Sequence, residues 1–442
     1  MGYNFRSYNQ RQSYLLPPSL DKWLPQNHLA RFISETVDQM DLSAFKKAYR
    51  ANGQGNAAYH PAMMVKILLY AYAVGMPSSR KIAKALVDDV AFRWLAAGNF
   101  PDFRTISGFR KRHLKALEEL FPQVLLICKS AGLVKAGVIA LDGTKVRANA
   151  SICRNKDYEQ LSEEEERLKR KVRELLEQAE SIDQEEDELY GDKRGDELPE
   201  ELSNAKERLA RIREAKRLLE ERNRERESSK KKGAGNKCQE SVKPEGKINM
   251  TDSDSRIQKT SKGYIQGYNA QAVATEDQII VAQDVVTDAN DVHQFKPMVE
   301  QAQENLAEIG ESAKTILADA GYCSEENLEY LDSQEGINGL VSTRREREMR
   351  RSKFSDRVRE RSKLPRYKRM DKKLRRPVNS FIYGFRKKII EPVFGQLKWC
   401  RGFSGFLLRG LEKVKVEFSL WCSTHNMLKL YRHMMKKGQI AA

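Results

Sequence analysis

The chain has 442 residues, 40% of them hydrophobic, with 79 Lys and Arg against 62 Asp and Glu, a formal charge of +17. That length exceeds what one core usually serves, so two or three domains are expected. The basic excess points to a polyanionic partner, nucleic acid first, ahead of a basic surface that binds nothing. No run approaches the roughly 18 apolar residues that span a bilayer. The start, MGYNFRSYNQ, lacks a signal peptide's apolar segment, and the six cysteines (128, 153, 238, 323, 400 and 422) have no CxxC spacing. A membrane protein, a disulfide framework and a zinc enzyme are set aside, and a cytoplasmic protein is expected.

Residues 1–25 mix aromatics, Arg and Gln and read as an ordered extended arm. From Asn27 to about Gly132 the pattern is helical. Pro61 opens a segment whose Met64, Ile67, Leu68 and Ala71 have helix spacing, and Gly75-Met-Pro77 stops it. Ser78 and Ser79 are placed to cap the following RKIAKALVDD, which contains Arg80. A helix, a tight break and a second basic helix suggest a helix-turn-helix-like unit, a pattern that many all-α domains share. DFRTISGFRKRH adds a helix start with Arg104, Arg110, Lys111 and Arg112, which either grip phosphates or solvate the helix face.

In Val138–Arg147, VIALDGTKVR, four apolar residues run into Asp142, with Gly143 and Thr144 next. This fits a buried strand ending at the rim of a sheet, where ligands of α/β folds bind. From about Tyr158 to Lys232 the composition turns highly charged. Leu168, Val172, Leu175, Ala179 and Ile182 keep a 3-4 spacing, as do Leu202, Ala205, Leu209, Ile212 and Leu219. Two amphipathic helices folded back as a hairpin fit best, read as a partner or self-association arm. SSKKKGAGNK then reads as a flexible basic linker.

Residues 263–286 read as a hairpin turning at TED, and VHQFKPMVEQAQENLAEIG as a helix. TILADAG repeats the earlier design, a strand ending in Asp319; Ser324 caps SEENLEYLDS, and Gly339 to Thr343 is a short last strand. Parallel strands ending in Asp142 and Asp319 would set two carboxylates side by side, where like charges repel unless a cation joins them. Oxygen ligands suit Mg²⁺ or Mn²⁺. The plainer reading, aspartates that only begin turns, stays open at this level. From Arg344 to Arg376 positive charge dominates, as an electrostatic track for a nucleic-acid backbone or as a solvated face. In FIYGFRKKIIEPVFGQLKWCRGF, Glu391 lies among cations and aromatics, with Lys398 seven places on. Pro392 either starts a helix with Glu391 at its cap or kinks a longer one. Glu391 reads as a third metal ligand or as a surface ion pair; Asp288 and Asp291, after the hairpin, are the next carboxylates to consider.

Together the element order and the three acids resemble the DDE transposases of bacterial insertion sequences. HPAMMVKILLYAY and PDFRTISGFRKRH are similar to that family's N-terminal domain; LDGTKVRANAS, SKGYIQGYNAQ, LADAGY and EPVFGQLK to its core; RGFSGFLLRGLEKVKVE to its closing segment. The resemblance implies a mixed α/β fold: a ribonuclease-H-like catalytic core (133–155 and 236–442), an all-α DNA-binding domain (1–132), and an inserted charged helical hairpin with linker (156–235). It maps Asp142, Asp319 and Glu391 onto a catalytic triad holding two Mg²⁺ (or Mn²⁺) per active site. Tyr383, Arg386 and Lys398 correspond loosely to the Tyr, Arg and Lys that flank the family's glutamate. The Arg expected one turn before Glu391 is Lys387, with Arg386 adjacent and Tyr383 one place further back than usual. DNA contacts are expected from these four and from Lys145, Arg147, Arg80, Arg104, Arg110 and Arg112. The implied activity is cleavage and strand transfer of element ends, by a homodimer assembled on terminal inverted repeats and target DNA, in the bacterial cytoplasm at the nucleoid. A catalytically inactive DNA-binding derivative and a plain metal-dependent nuclease are the alternatives.

Overall fold

The computed structural model describes residues 19–49, 57–190, 200–231, 246–344 and 364–438, without side chains at 178–190, 200–202 and 226–231. Most of the expected N-terminal arm, the linker beyond Lys231 and the first part of the basic track lie outside the described residues. Where the arm's end is described, Leu20–Trp23 is a short helix rather than extended chain. Arg31 ties it down, pairing with Asp21 at 2.7 Å and donating to the Leu24 carbonyl at 3.0 Å.

The N-terminal third is helical throughout the described residues, as its periodicity predicts. Pro61 is the first residue of the helix Pro61–Ala73, where a missing N–H costs nothing. Gly75, at φ +76°, takes the left-handed position that ends the segment, and an added Cβ there would come within 2.4 Å of the Arg401 carbonyl oxygen. Ser78 precedes the helix Ser79–Asp88, but its hydroxyl makes no capping bond. Asp102 does cap Phe103–Arg112, accepting from Thr105 N at 2.6 Å. Arg110 corrects the expectation of a phosphate contact. It is only 3% exposed, and its guanidinium donates to Tyr72 Oη (3.1 Å), the Pro77 carbonyl (2.8 Å) and Ser79 Oγ. It braces the break between two helices from inside.

Eight strands are described: β1 (Val138–Arg147), β2 (Asn155–Lys156), β3 (Ile248–Asn249), β4 (Arg256–Thr260), β5 (Gly263–Thr275), β6 (Ile280–Val286), β7 (Thr315–Ala318) and β8 (Asn338–Val341). The main sheet runs β4-β5-β1-β7-β8, with β6 also on β5. β5 pairs antiparallel with β1, β4 and β6, whereas β1–β7 and β7–β8 are parallel. The short strand β4 has no counterpart among the elements expected from sequence. The larger difference concerns β1. Instead of ending at Asp142 it continues to Arg147, because β5 keeps pairing with it (Arg147↔Gly267) after the parallel ladder to β7 stops at Leu141↔Ala318.

The charged insert is a pair of long helices, Tyr158–Tyr190 and Glu200–Lys231, leaving and returning through the β2–β3 ribbon. Leu161, Leu168, Leu209, Ile212, Ala215, Leu219 and Ile248 form an apolar cluster separate from the main core. That main core is continuous from the N-terminal helices through the sheet to the closing helix Leu411–Lys436. The closing helix packs Trp421 edge-on against Tyr72, with centroids 5.3 Å apart. Its Asn426 amide both accepts from Ile280 N and donates to Ile280 O, each at 2.8 Å, taking the place of a neighbouring strand at the edge of β6.

Pro392 lies inside the helix Pro377–Gly395. Proline has no N–H to return to the carbonyl four residues earlier. That carbonyl, of Lys388, instead accepts from the Gln278 side chain at 2.9 Å. Gln278 sits at φ +62° in the β5–β6 turn, and its own carbonyl accepts from His425 Nε2 at 2.9 Å. One turn residue therefore joins the hairpin, the proline-containing helix and the closing helix.

Candidate active site

Leu141 and Ala318 are the last partners of the parallel ladder, so Asp142 and Asp319 follow it side by side. The Asp142 side chain is 23% exposed. Burial pushes its acid up to about 7, helped by the negative charges of Asp319 and Asp291, and opposed by Arg386 and a backbone N–H from Gly143. Asp319 Oδ1 accepts from Gly321 N at 2.8 Å. Gly143 does not begin a turn. A Cβ there would come within 2.3 Å of Gln271 Nε2 and 3.0 Å of Asp291 Oδ1. Glycine keeps open the space that those two side chains fill.

The helix Pro377–Gly395 brings the remaining groups to the Asp142 face of the sheet. Arg386, 9% exposed, places Nη1 3.4 Å from Asp142 Oδ2 and Nη2 3.5 Å from Glu391 Oε1. Burial works against its charge, but Tyr383, Asp142, Asp319 and Glu391 outweigh that and raise its pKa. Lys387 is exposed on the helix, and Arg386 is the neighbour that pairs with Asp142 and Glu391. Glu391 remains about half exposed, beyond the guanidinium. Tyr383 Oη donates to the Ala318 carbonyl at 3.3 Å, one residue before Asp319. Past Gly395 the helix widens into a π-turn, Gln396–Cys400, the kind of irregularity often found at functional sites. Lys398 in that turn donates to Thr144 Oγ1 and, at 3.2 Å, to the Lys145 carbonyl. Burial lowers the Lys398 pKa, and the Asp142 charge works the other way.

Directly paired residues of an antiparallel ladder share a face. Thus Gly143, Lys145, Asn269 and Gln271 lie opposite Asp142 and Thr144. On that second face Asp291 is held by Asn269 Nδ2 (2.7 Å), Gln271 Nε2 (3.0 Å) and Lys145 Nζ (3.2 Å), all on Oδ1. Tyr322 Oη, behind Gln271, donates to its Oε1. Asp288 is exposed, and its backbone carbonyl accepts from Asn269 at 3.1 Å. Of the more distant basic residues, Arg147 is exposed, and Arg80 and Arg104 both lie over the Phe103 ring, at 5.2 and 5.7 Å. Arg112 is exposed beside Tyr49. In the helix Pro365–Leu374, a described part of the basic track, Arg366 pairs with Glu329 (2.6 Å) and Arg369 with Asp332 (3.1 Å) at the surface.

Among the described residues no three His, Cys, Asp or Glu side chains converge closely enough to enclose a metal ion. Arg386 pairs with Asp142 and Glu391, and Lys145 with Asp291. The donor chemistry nevertheless fits a hard divalent cation: the groups are carboxylates, and Asp142 is raised by burial and then by a neighbour of like charge. Adjacent carboxylates at the end of a parallel ladder, in a sheet of antiparallel hairpin plus parallel strands, are the arrangement of a ribonuclease-H-like core.

Residues 18–112 match the family described as Transposase domain (DUF772), and residues 135–427 match the Transposase DDE domain. The second match covers well over half of the sequence, and the chain belongs to the DDE transposase family, enzymes that act on DNA and generally use divalent metal ions. No curated protein and no solved structure matched. Among the described residues no helix is long and apolar enough to cross a membrane.

Proposed function

We propose that this transposase cuts and joins the ends of an insertion sequence, with Asp142, Asp319 and Glu391 as its catalytic carboxylates. The observation that carries the reading is the adjacency of Asp142 and Asp319 where the β1–β7 ladder stops, with Arg386 linking Asp142 to Glu391. Two divalent cations held by these carboxylates would supply positive charge for the attacking and leaving oxygens of an in-line displacement. Around them the chain's own groups position the DNA. The Arg386 guanidinium and the Lys398 ammonium face the acids and would take phosphate oxygens next to the scissile bond. Tyr383, anchored on the Ala318 carbonyl, holds the helix against the strand that presents Asp319. Lys145, paired with Asp291, is assigned to DNA beside the acids, and Arg147, Lys387, Arg80, Arg104 and Arg112 to DNA further from the reacting phosphate. Cutting two ends together requires two such sites, hence a homodimer on paired terminal repeats.

Purified Asp142→Ala, Asp319→Ala and Glu391→Ala variants test the assignment with end DNA and Mg²⁺. Each is expected to lose on the order of a hundredfold or more in cleavage while retaining end binding, since affinity comes from basic residues elsewhere. A variant that cleaves at near the wild-type rate removes that residue from the triad. Joined donor–target product from the wild type distinguishes a transposase from a nuclease that only hydrolyses.

A further inference from the structure

We infer that Asp291 is a fourth carboxylate of the cation site, reaching it from the face of the sheet opposite Asp142 and Glu391. The inference rests on the functional reading above. Three donors converge on Asp291 Oδ1, from Asn269, Gln271 and Lys145, and none of these bonds uses Oδ2. A Cβ built on Gly321 would lie 3.4 Å from Asp291 Oδ2 and 2.9 Å from Asp319 Oδ1, so both carboxylates border one small space that glycine leaves open.

The support behind Asp291 is built for holding a carboxylate still. Asn269 and Gln271 are both 0% exposed. Tyr322 Oη fixes Gln271, which then donates to Asp291. A buried chain of donors ending on one oxygen, with the other bordering a space shared with a second carboxylate, is how ligating acids are oriented by their outer partners. Burying two amides to hold a purely solvated aspartate would waste their desolvation. Lys145 is a counter-ion on Asp291 and would compete with a bound cation for it.

The test measures Mn²⁺ affinity of the full chain without DNA, by electron paramagnetic resonance and by the Mn²⁺-induced rise in Tm. Asp291→Asn preserves shape and accepting oxygen but removes the charge. It is expected to weaken Mn²⁺ at least about tenfold, with Tm in EDTA near wild type. Lys145→Met removes the competing ammonium and is expected to tighten Mn²⁺, an effect that disappears in the Asp291→Asn background. Unchanged affinity in Asp291→Asn, no tightening in Lys145→Met, or equal tightening in both backgrounds would each overturn the inference. Asp142→Asn and Asp319→Asn separate the two levels of argument. If they abolish Mn²⁺ binding while Asp291→Asn leaves it intact, only Asp291 is wrong; if they too leave it intact, the cation site itself is misplaced.

Discussion

The ionisation of Asp142 illustrates what a single position does to the whole chain. Its acid is raised from an ordinary 3.8 to about 7, first by burial and then by Asp319. A raised carboxylate pKa means that charging the group costs folding free energy. The cost is absent below pH 3.8, grows as pH rises from there, and is complete above about pH 7. Asp142→Asn should therefore stabilise the protein in EDTA at pH 8, by about 1–3 kcal/mol after allowance for relaxation, and leave it unchanged near pH 4. Urea midpoints at both pH values check the sign. A variant less stable than wild type at pH 8 would mean that Arg386 needs Asp142 more than Asp142 resents its burial. A divalent cation bound at Asp142, as proposed, would reverse the balance, because it would bind the ionised form that folding alone disfavours.

Among the elements, the helical insert stands apart energetically. Its apolar residues form their own cluster, and its polar ones pair across the hairpin. Arg213 and Lys216 meet Glu165 at 3.3 and 2.8 Å, and Tyr158 Oη donates to Glu220 at 2.8 Å. The insert enters and leaves where Asn155 pairs with Asn249, so a short loop can close the gap. Deleting Leu161 to Arg226 should leave a folded, Mn²⁺-binding core with impaired assembly on paired ends. Sedimentation with end DNA decides this: unfolding would place the insert in the core, and normal pairing of ends would remove its assembly role. The hairpin was legible in advance because 3-4 apolar spacing survives amid dense charge. The full length of β1 was not, since it depends on β5, more than a hundred residues away in sequence.

Across the whole molecule, the +17 charge is not one uniform surface. Some of it is internal or already paired with acids. Arg110 braces two helices, Arg366 and Arg369 pair with acids of the neighbouring helix, and Arg401 is buried against Trp421. Arg80, Arg104, Arg112 and Arg147 remain outside. The two groups should separate experimentally. Arg104→Ala with Arg112→Ala should weaken end binding and flatten its dependence on salt, by about 0.9 in log–log slope for each phosphate no longer neutralised, with Tm unchanged. Arg110→Ala should instead cost about 2–4 kcal/mol, because it strands buried partners. Equal salt slopes in all variants would place the DNA elsewhere.

By itself the sequence determined the class of fold, the helical N-terminal third, the insert, and Asp142, Asp319 and Glu391 as the acids to watch. These follow from local periodicity, turn chemistry and motif order, which a chain carries along its length. Tertiary structure decided which cations face the acids. Adjacent residues on a helix point about 100° apart, and only packing against β1 shows that Arg386 rather than Lys387 turns inward. It also decided that Arg110 is internal, and that Asp291 stands on the opposite face beside Gly321. Strand register alone brings Asn269, Gln271 and Gly143 together, and register is a long-range property that composition does not encode.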